Sequence, residues 1–352
     1  MEQMSLKVTC PQCKQLFDFY FSEKGKRICP NCKLGIPDEK ILPHPSSMDK
    51  LQKPEESAKW TRFIELELSK YLDKRTIPDD CYTLKWNTDH PGHIVFLLDL
   101  SGSMAENNKI DYLIDSVQTT IENLLTHCRN DQGKPAERVE VSIYGYNYRI
   151  IPLWPNYNVE KMTRAMLEAD DNGVKVFNRD IQVKPEYQTR MQIAFEKAKE
   201  DVEDWIHRQE RKKIANIPSP IVINVTDGYP YEGKEHSQEK VFSDTLQAAR
   251  ALMSVGTKDG NVRIFNIHYE PTSMKSMMCF PNVIPKEETI KFLYEASSVL
   301  TKKMAESARL FGFEEAQQGS HALISNSKDP SVLTSFLDWG SSQGVKPIHD
   351  DY

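Results

Sequence analysis

From residue 92 onward, short apolar runs alternate with stretches in which apolar positions recur every three or four residues. The runs at 93–98, 139–146, 221–225, 262–269 and 322–325 have the length and character of buried strands, and a shorter run at 149–154 reads as an edge strand. Between them, Ile110, Leu113, Ile114, Val117, Ile121, Leu124, Leu125 and Cys128 keep the helical period. Met191, Ala194, Phe195, Ala198, Val202, Trp205 and Ile206 do the same. Further helices are predicted over 157–175, 240–253, 287–310 and 330–339. Strand and helix in this alternation predict an α/β fold: a doubly wound, mostly parallel sheet with helices on both faces.

The pattern ahead of residue 92 differs. An alternating run over 16–21 puts Phe17, Phe19 and Phe21 on one face of a strand, and Gly25 suits the turn of a hairpin. Prolines and serines at 43–47 mark a linker. After Pro54, the residues Trp60, Phe63, Ile64, Leu68, Tyr71 and Leu72 fall on one side of a connecting helix. The organisation expected is a small module at 1–43, a linker and helix at 44–90, a large domain at 91–342 and a tail at 343–352.

Composition narrows the class. With 352 residues, 39% hydrophobic and 27% charged, the chain resembles an ordinary soluble protein. A net charge of -6 argues against general affinity for nucleic-acid backbones or anionic membranes. The basic run Arg208 to Lys213 ends a predicted helix, where cations complement the dipole. The first residues lack a long apolar core and no apolar run approaches membrane-spanning length, so a cytoplasmic location is expected.

Four of the seven cysteines have metal spacing. Cys10 and Cys13 form one CxxC pair, and Cys29 and Cys32 form a second, fifteen residues further on. Each pair can present two thiolates to one ion, so a four-cysteine Zn2+ ribbon is expected, with the metal supplying folding energy that so small a module cannot draw from a core. A redox CxxC is the alternative for either pair alone. Residues 1–43 hold seven Lys or Arg and five acids, a balance of 7 - 5 = +2. A zinc tetrathiolate's charge of about -2 cancels it, which favours a structural or protein-docking ribbon over nucleobase stacking by the aromatic face. Cys81, Cys128 and Cys279 read as core or neutral positions.

The richest chemistry follows the first strand of the large domain, where Asp99-Leu-Ser101-Gly-Ser103 sets one carboxylate and two hydroxyls on a tight turn. Oxygen ligands with positions left to water suit Mg2+. Read alone, the string is also compatible with an ordinary strand-to-helix loop in which Ser103 caps the helix. A second apolar run ends in Thr226-Asp227-Gly228, and Thr189 stands at the head of the helix that begins near Met191. DxSxS, a threonine opening a central helix and an aspartate after a later strand occur here in the order seen in von Willebrand factor A (vWA) domains, and residues 91–342 resemble that family. The resemblance implies a Rossmann-like fold and a metal-ion-dependent adhesion site. Its Mg2+, or Mn2+ or Ca2+ in its place, would be held by Asp99, Ser101, Ser103, Thr189 and Asp227, with Asp227 acting through water. Glu186-Tyr187-Gln188 lacks the glycines that often precede the family's threonine.

In such domains a partner's Asp or Glu completes the coordination. The expected function is therefore that of a metal-dependent protein-binding adaptor and not an enzyme. The family members with which it is most similar in organisation are bacterial, intracellular proteins of tellurium-resistance, stress and phage-defence systems, some of which join a vWA domain to a zinc ribbon. That likeness implies a AAA+ ATPase, a kinase or a phosphatase as partner. Two alternatives stay open: a nucleic-acid-associated recruitment factor acting through the ribbon, and a Mg2+-dependent hydrolase. Against the latter, the chain has no GxxxxGK[ST] loop and no HExxH, and its histidines are scattered.

Overall fold

The computed structural model describes residues 5–9, 16–20, 82–130, 132–177, 181 and 188–342. The chain divides into two compact units, Met1–Thr76 and Ile77–Tyr352. In the first, strands β1 (Ser5–Thr9) and β2 (Leu16–Tyr20) pair antiparallel, with Ser5 opposite Tyr20 and Thr9 opposite Leu16. The strand expected over 16–21 thus pairs on its amino side, while the hairpin turn expected at Gly25 lies outside the described residues. Cys10, Cys13, Cys29, Cys32 and the predicted connecting helix lie outside the described residues.

The second unit is built on a seven-stranded sheet. In chain order its strands are β3 (Gly92–Asp99), β4 (Val139–Tyr146), β5 (Ile150–Asn158), β6 (Ile221–Thr226), β9 (Arg263–Tyr269), β10 (Met278–Cys279) and β11 (Leu323–Ser327). A two-residue pair, β7 (Gly256–Thr257) with β8 (Gly260–Asn261), stands apart from it. The spatial order is β10-β11-β9-β6-β3-β4-β5. The five central strands run parallel, and β5 and β10 close the two edges antiparallel. The doubly wound, mostly parallel sheet expected from the hydrophobic pattern is what forms.

Among the described residues, seven helices flank the sheet: α1 (Lys109–His127), α2 (Val159–Asp171), α3 (Met191–Arg211), α4 (Gln238–Ser254), α5 (Glu288–Glu295), α6 (Lys302–Leu310) and α7 (Pro330–Ser342). Alternation along β3 assigns them to faces. Ile94, Phe96 and Leu98 join a core with Leu113, Val117 and Ile121 of α1 and with Phe336, Leu337 and Trp339 of α7. Val95 and Leu97 point into a second core with Phe195, Ala198 and Trp205 of α3 and Leu252 of α4. All five β3 side chains are fully buried, so truncating any one to alanine should cost about 2–5 kcal/mol.

One expected element is different. The helix predicted over 287–310 is two helices, because tertiary bonds take the intervening backbone. Ser298 donates its N–H to the Ile264 carbonyl, and Val299 bridges to His321. Thr301 then caps α6, its hydroxyl accepting from the Met304 N–H at 3.2 Å. Trp154 stacks on Tyr157 and meets Phe177 edge-on, and all three pack with the α1 core.

The strand order also locates the candidate crevice. From β3 the chain moves to one side for β4 and β5, then crosses to the opposite side for β6 and β9. The switch point therefore lies between β3 and β6, where open α/β sheets bind ligands beyond the strands' carboxyl ends. Asp99 ends β3, and Asp227 follows β6 directly.

Candidate metal centre at the strand ends

The turn after β3 is held from both sides. Leu100 donates its N–H to the Tyr146 carbonyl at 2.8 Å, and its side chain packs where a Cβ on Gly145 would intrude, only 2.3 Å away. Only glycine at 145 admits this approach. Asp99 Oδ1 accepts from the Ser101 N–H at 2.8 Å, and Oδ2 accepts from the Thr226 hydroxyl at 2.6 Å. The chain then makes one 3-10 turn, Gly102–Ala105, in which Ser101 stands at the cap but makes no capping hydrogen bond.

Both serine hydroxyls face the crevice. Ser101 Oγ lies 3.2 Å from Ser103 Oγ, and Ser103 Oγ donates to Asp227 Oδ1 at 2.8 Å. Ser103 therefore spends its hydroxyl on a residue 124 positions away and not on helix capping. Thr189 is brought in by its backbone: its N–H donates to the Tyr231 carbonyl at 3.0 Å, and its own carbonyl accepts from the Tyr231 N–H at 2.9 Å. This two-way bridge ties the head of α3 to the loop carrying Asp227. Among the described residues, no hydrogen bond joins the Thr189 hydroxyl to Asp99, Ser101, Ser103 or Asp227. Asp99, Ser101, Ser103 and Asp227 thus form one connected group, with Thr189 tied to it through the backbone.

Two charged residues that the motif does not include complete the arrangement. Lys109, the first residue of α1, is almost wholly buried. Its Nζ donates to Asp227 Oδ2 at 2.7 Å and to Glu270 Oε2 at 2.8 Å. Asn107 and Asn108 deliver it, both in the left-handed region with φ of 54° and 56°, which asparagine tolerates better than most residues. Glu270 follows β9, and its other oxygen accepts from the Thr272 hydroxyl at 2.6 Å. Three neighbouring parallel strands, β3, β6 and β9, are each closed by an acid in this crevice.

Both additions leave a trace in the chain. Lys109 stands one helical turn before Leu113 and two before Val117, a charged residue in line with a buried stripe. Glu270 repeats, after a third apolar run, the placement of Asp99 and Asp227. Beneath them, His268 Nε2 donates to the Asp227 carbonyl at 3.1 Å while its Nδ1 accepts from the Asn326 N–H at 3.2 Å, the pattern of a neutral ring that braces the loop.

Burial and the neighbouring acids set the electrostatics of the crevice. Burial, reinforced by the charge of Asp227, pushes the Asp99 carboxyl up to about 7 against the pull of the Thr226 and Ser101 hydrogen bonds. Burial opposes the charge on Lys109, but its bonds to Asp227 and Glu270 outweigh that and raise its pKa. Burial would likewise raise Glu270, but Lys109 more than offsets it and the carboxyl is lowered. Two carboxylates, Asp227 and Glu270, share one ammonium, and the charge of Asp227 also acts on Asp99. Among the described residues, no three His, Cys, Asp or Glu side chains form a metal cluster by themselves. The donor set consists instead of two carboxylates, Asp99 and Asp227, with serine and threonine hydroxyls. Such an all-oxygen set fits Mg2+ or Mn2+ and not a thiophilic ion.

Elsewhere, the thiols of Cys128 and Cys279 are pushed up to about 12, each chiefly by burial, which marks them as unreactive. No helix among the described residues is long and apolar enough to cross a membrane.

No family profile and no curated protein sequence matches this chain. Solved structures with similar parts include proximal thread matrix protein 1 from the mussel byssus, at 13% identity over 74% of this chain and 49% of that one, with a TM-score of 0.42. A von Willebrand factor type A protein from Catenulispora acidiphila aligns at 12% identity over 52% of this chain and 34% of its own, with a TM-score of 0.34. Manganese-loaded TRAP from Plasmodium vivax aligns at 18% identity over 51% and 57%, with a TM-score of 0.32. This chain therefore spans only part of each. At TM-scores below 0.5, these likenesses carry no weight for ligand or partner.

Proposed function

We propose that this protein is a metal-dependent protein-binding adaptor whose crevice holds a divalent ion between the ends of β3 and β6. The observation that carries the reading is the Ser103 to Asp227 hydrogen bond at 2.8 Å, which joins the two motif segments at the switch point of the sheet. Asp99, Ser101, Ser103 and Asp227 would hold the ion, with Thr189 beside them. When bound, that ion offers a coordination position to a carboxylate of a partner. Asp99 fixes the Ser101 backbone and orients the turn, and Asp227 holds Ser103. Specificity follows because few surfaces bring an Asp or Glu to the right place.

The partner class rests on the sequence resemblance alone: an acidic segment of a AAA+ ATPase, a kinase or a phosphatase in a bacterial stress or phage-defence system, met in the cytoplasm. In this reading the cysteine module at 1–43 binds Zn2+ and supports docking. The experiment is capture of partners from the native host in Mg2+ and in chelator, with wild type and Asp99→Ala compared by mass spectrometry. A partner lost in both chelator and variant supports the reading, while capture indifferent to both contradicts it.

A further inference from the structure

We propose that Lys109 is a built-in cation latch, an ammonium group that holds Asp227 in the metal-free protein and, when a divalent ion enters, lets go of Asp227 and stays on Glu270. The proposal rests on the reading of the crevice as a divalent-ion site and concerns how that site is regulated.

Lysine is seldom buried unless it is paired, and Lys109 is 3% exposed with two carboxylates on its Nζ. The pairing divides Asp227 completely. Oδ1 accepts from Ser103 and Oδ2 accepts from Lys109, so both oxygens are engaged while the ammonium is in place. An ion entering beside Ser101 and Ser103 meets an aspartate whose charge is already balanced.

Glu270 makes the arrangement reversible. Its side chain is 23% exposed, against 2% for Asp227, so an ammonium that gives up Asp227 can stay on Glu270 in a wetter position without being stranded. The unbranched four-carbon stem allows that movement. The two left-handed asparagines before Lys109 fix where α1 begins, and with it the point from which the stem pivots. Lysine also differs from a metal in valence and geometry: it can balance Asp227, but it offers a partner's carboxylate no coordination position. The latch therefore gives a closed state that holds the fold together and an open state that binds the ion.

The apparent affinity of a site falls by the fraction of time it is competent, so a latch closed nine-tenths of the time or more weakens ion binding at least about tenfold. Four full-length variants test this by Mn2+ titration calorimetry and by melting temperature in chelator and in Mn2+. Lys109→Met should bind Mn2+ at least about tenfold tighter than wild type, melt lower in chelator and recover when Mn2+ is added. Glu270→Gln, which leaves Lys109 only Asp227 to hold, should bind Mn2+ more weakly.

Lys109→Met/Glu270→Gln removes one charge of each sign and so stays foldable if Lys109→Met alone does not. It should still bind tighter than wild type, because Asp227 is free. Asp99→Ala controls for the site itself. If wild type binds Mn2+, Asp99→Ala does not, and neither Lys109 variant binds tighter than wild type, the latch is refuted and the metal site stands. If neither wild type nor any variant binds Mn2+, both readings fall.

Discussion

Strand β3 has a buried carboxylate at each end, and the two are treated in opposite ways. At the amino end, Asp201 of α3 accepts from His93 Nε2 at 2.6 Å, from the Ser142 hydroxyl at 2.9 Å and from the Tyr144 hydroxyl at 2.5 Å. His93 is braced in turn by stacking on Trp205 and by the Glu140 carbonyl near its other nitrogen. At the carboxyl end, Asp99 has the Ser101 N–H and the hydroxyls of Thr226 and Ser101 but, among the described residues, no cationic or imidazole donor, and the charge that acts on it is that of another acid, Asp227. Burial acts on both. Donors overcome it at Asp201, whose carboxyl is lowered, and fail to overcome it at Asp99, whose carboxyl rises to about 7. A carboxylate surrounded by donors is part of the scaffold. One that is buried beside a second acid and two serine hydroxyls keeps a poorly compensated charge, the property on which the proposed cation site rests.

The largest effect expected from breaking this contrast is at Asp201. Asp201→Ala takes the acceptor from the buried His93, Ser142 and Tyr144 donors and should cost about 3–5 kcal/mol in chemical denaturation, with Mn2+ affinity unchanged in the folded fraction. The opposite end should respond with the opposite sign. The folded Asp99 carboxyl binds its proton more tightly than the unfolded one, so in chelator its ionisation removes stability as pH rises from about 4 to 7. The Asp201 contribution is instead complete above about pH 4 and is lost as pH falls below that value through the lowered folded pKa. Asp99→Asn should therefore leave the metal-free protein at pH 8 as stable as wild type or more so, by up to about 4 kcal/mol, while abolishing ion binding. Thermal melts from pH 4 to 8 in chelator check both slopes.

Ser103→Ala is the next step down. It removes the bond between the two motif segments, with an expected cost of about 1 kcal/mol in stability and a weakening of Mn2+ binding by calorimetry of about tenfold. The smallest effect belongs to Thr189→Val, because the Tyr231 bridge uses the backbone and survives the substitution. Its melting temperature should stay at the wild-type value, and any loss of ion affinity reads out the hydroxyl alone.

The parallel strands were legible because both of their faces are covered, which turns each into a continuous apolar run bounded by polar residues. The edges were less so. A two-residue strand such as β10 has no period to detect, and β5 continues to Asn158, past the point where its apolar run fades. The break between α5 and α6 was hidden because Ser297 to Leu300 continues the helical pattern, and only contacts with Ile264 and His321 redirect it.

At the site, Asp99, Ser101, Ser103 and Asp227 were legible through the resemblance to the vWA motif order, since DxSxS alone also fits an ordinary strand-to-helix loop. Lys109 and Glu270 belong to no motif. They are visible only as a charge in line with an apolar stripe and as an acid closing a third strand, signals that gain meaning once the strand order makes β3, β6 and β9 neighbours.

The central claim is that the strand-end oxygens hold a divalent ion, and anomalous diffraction at the manganese edge from crystals grown in Mn2+ tests it most directly. The account predicts a peak about 2.1 Å from the Ser101 and Ser103 hydroxyl oxygens, absent in Asp99→Ala crystals. A crevice without a peak in wild type, or a peak that persists unchanged in the variant, would contradict it.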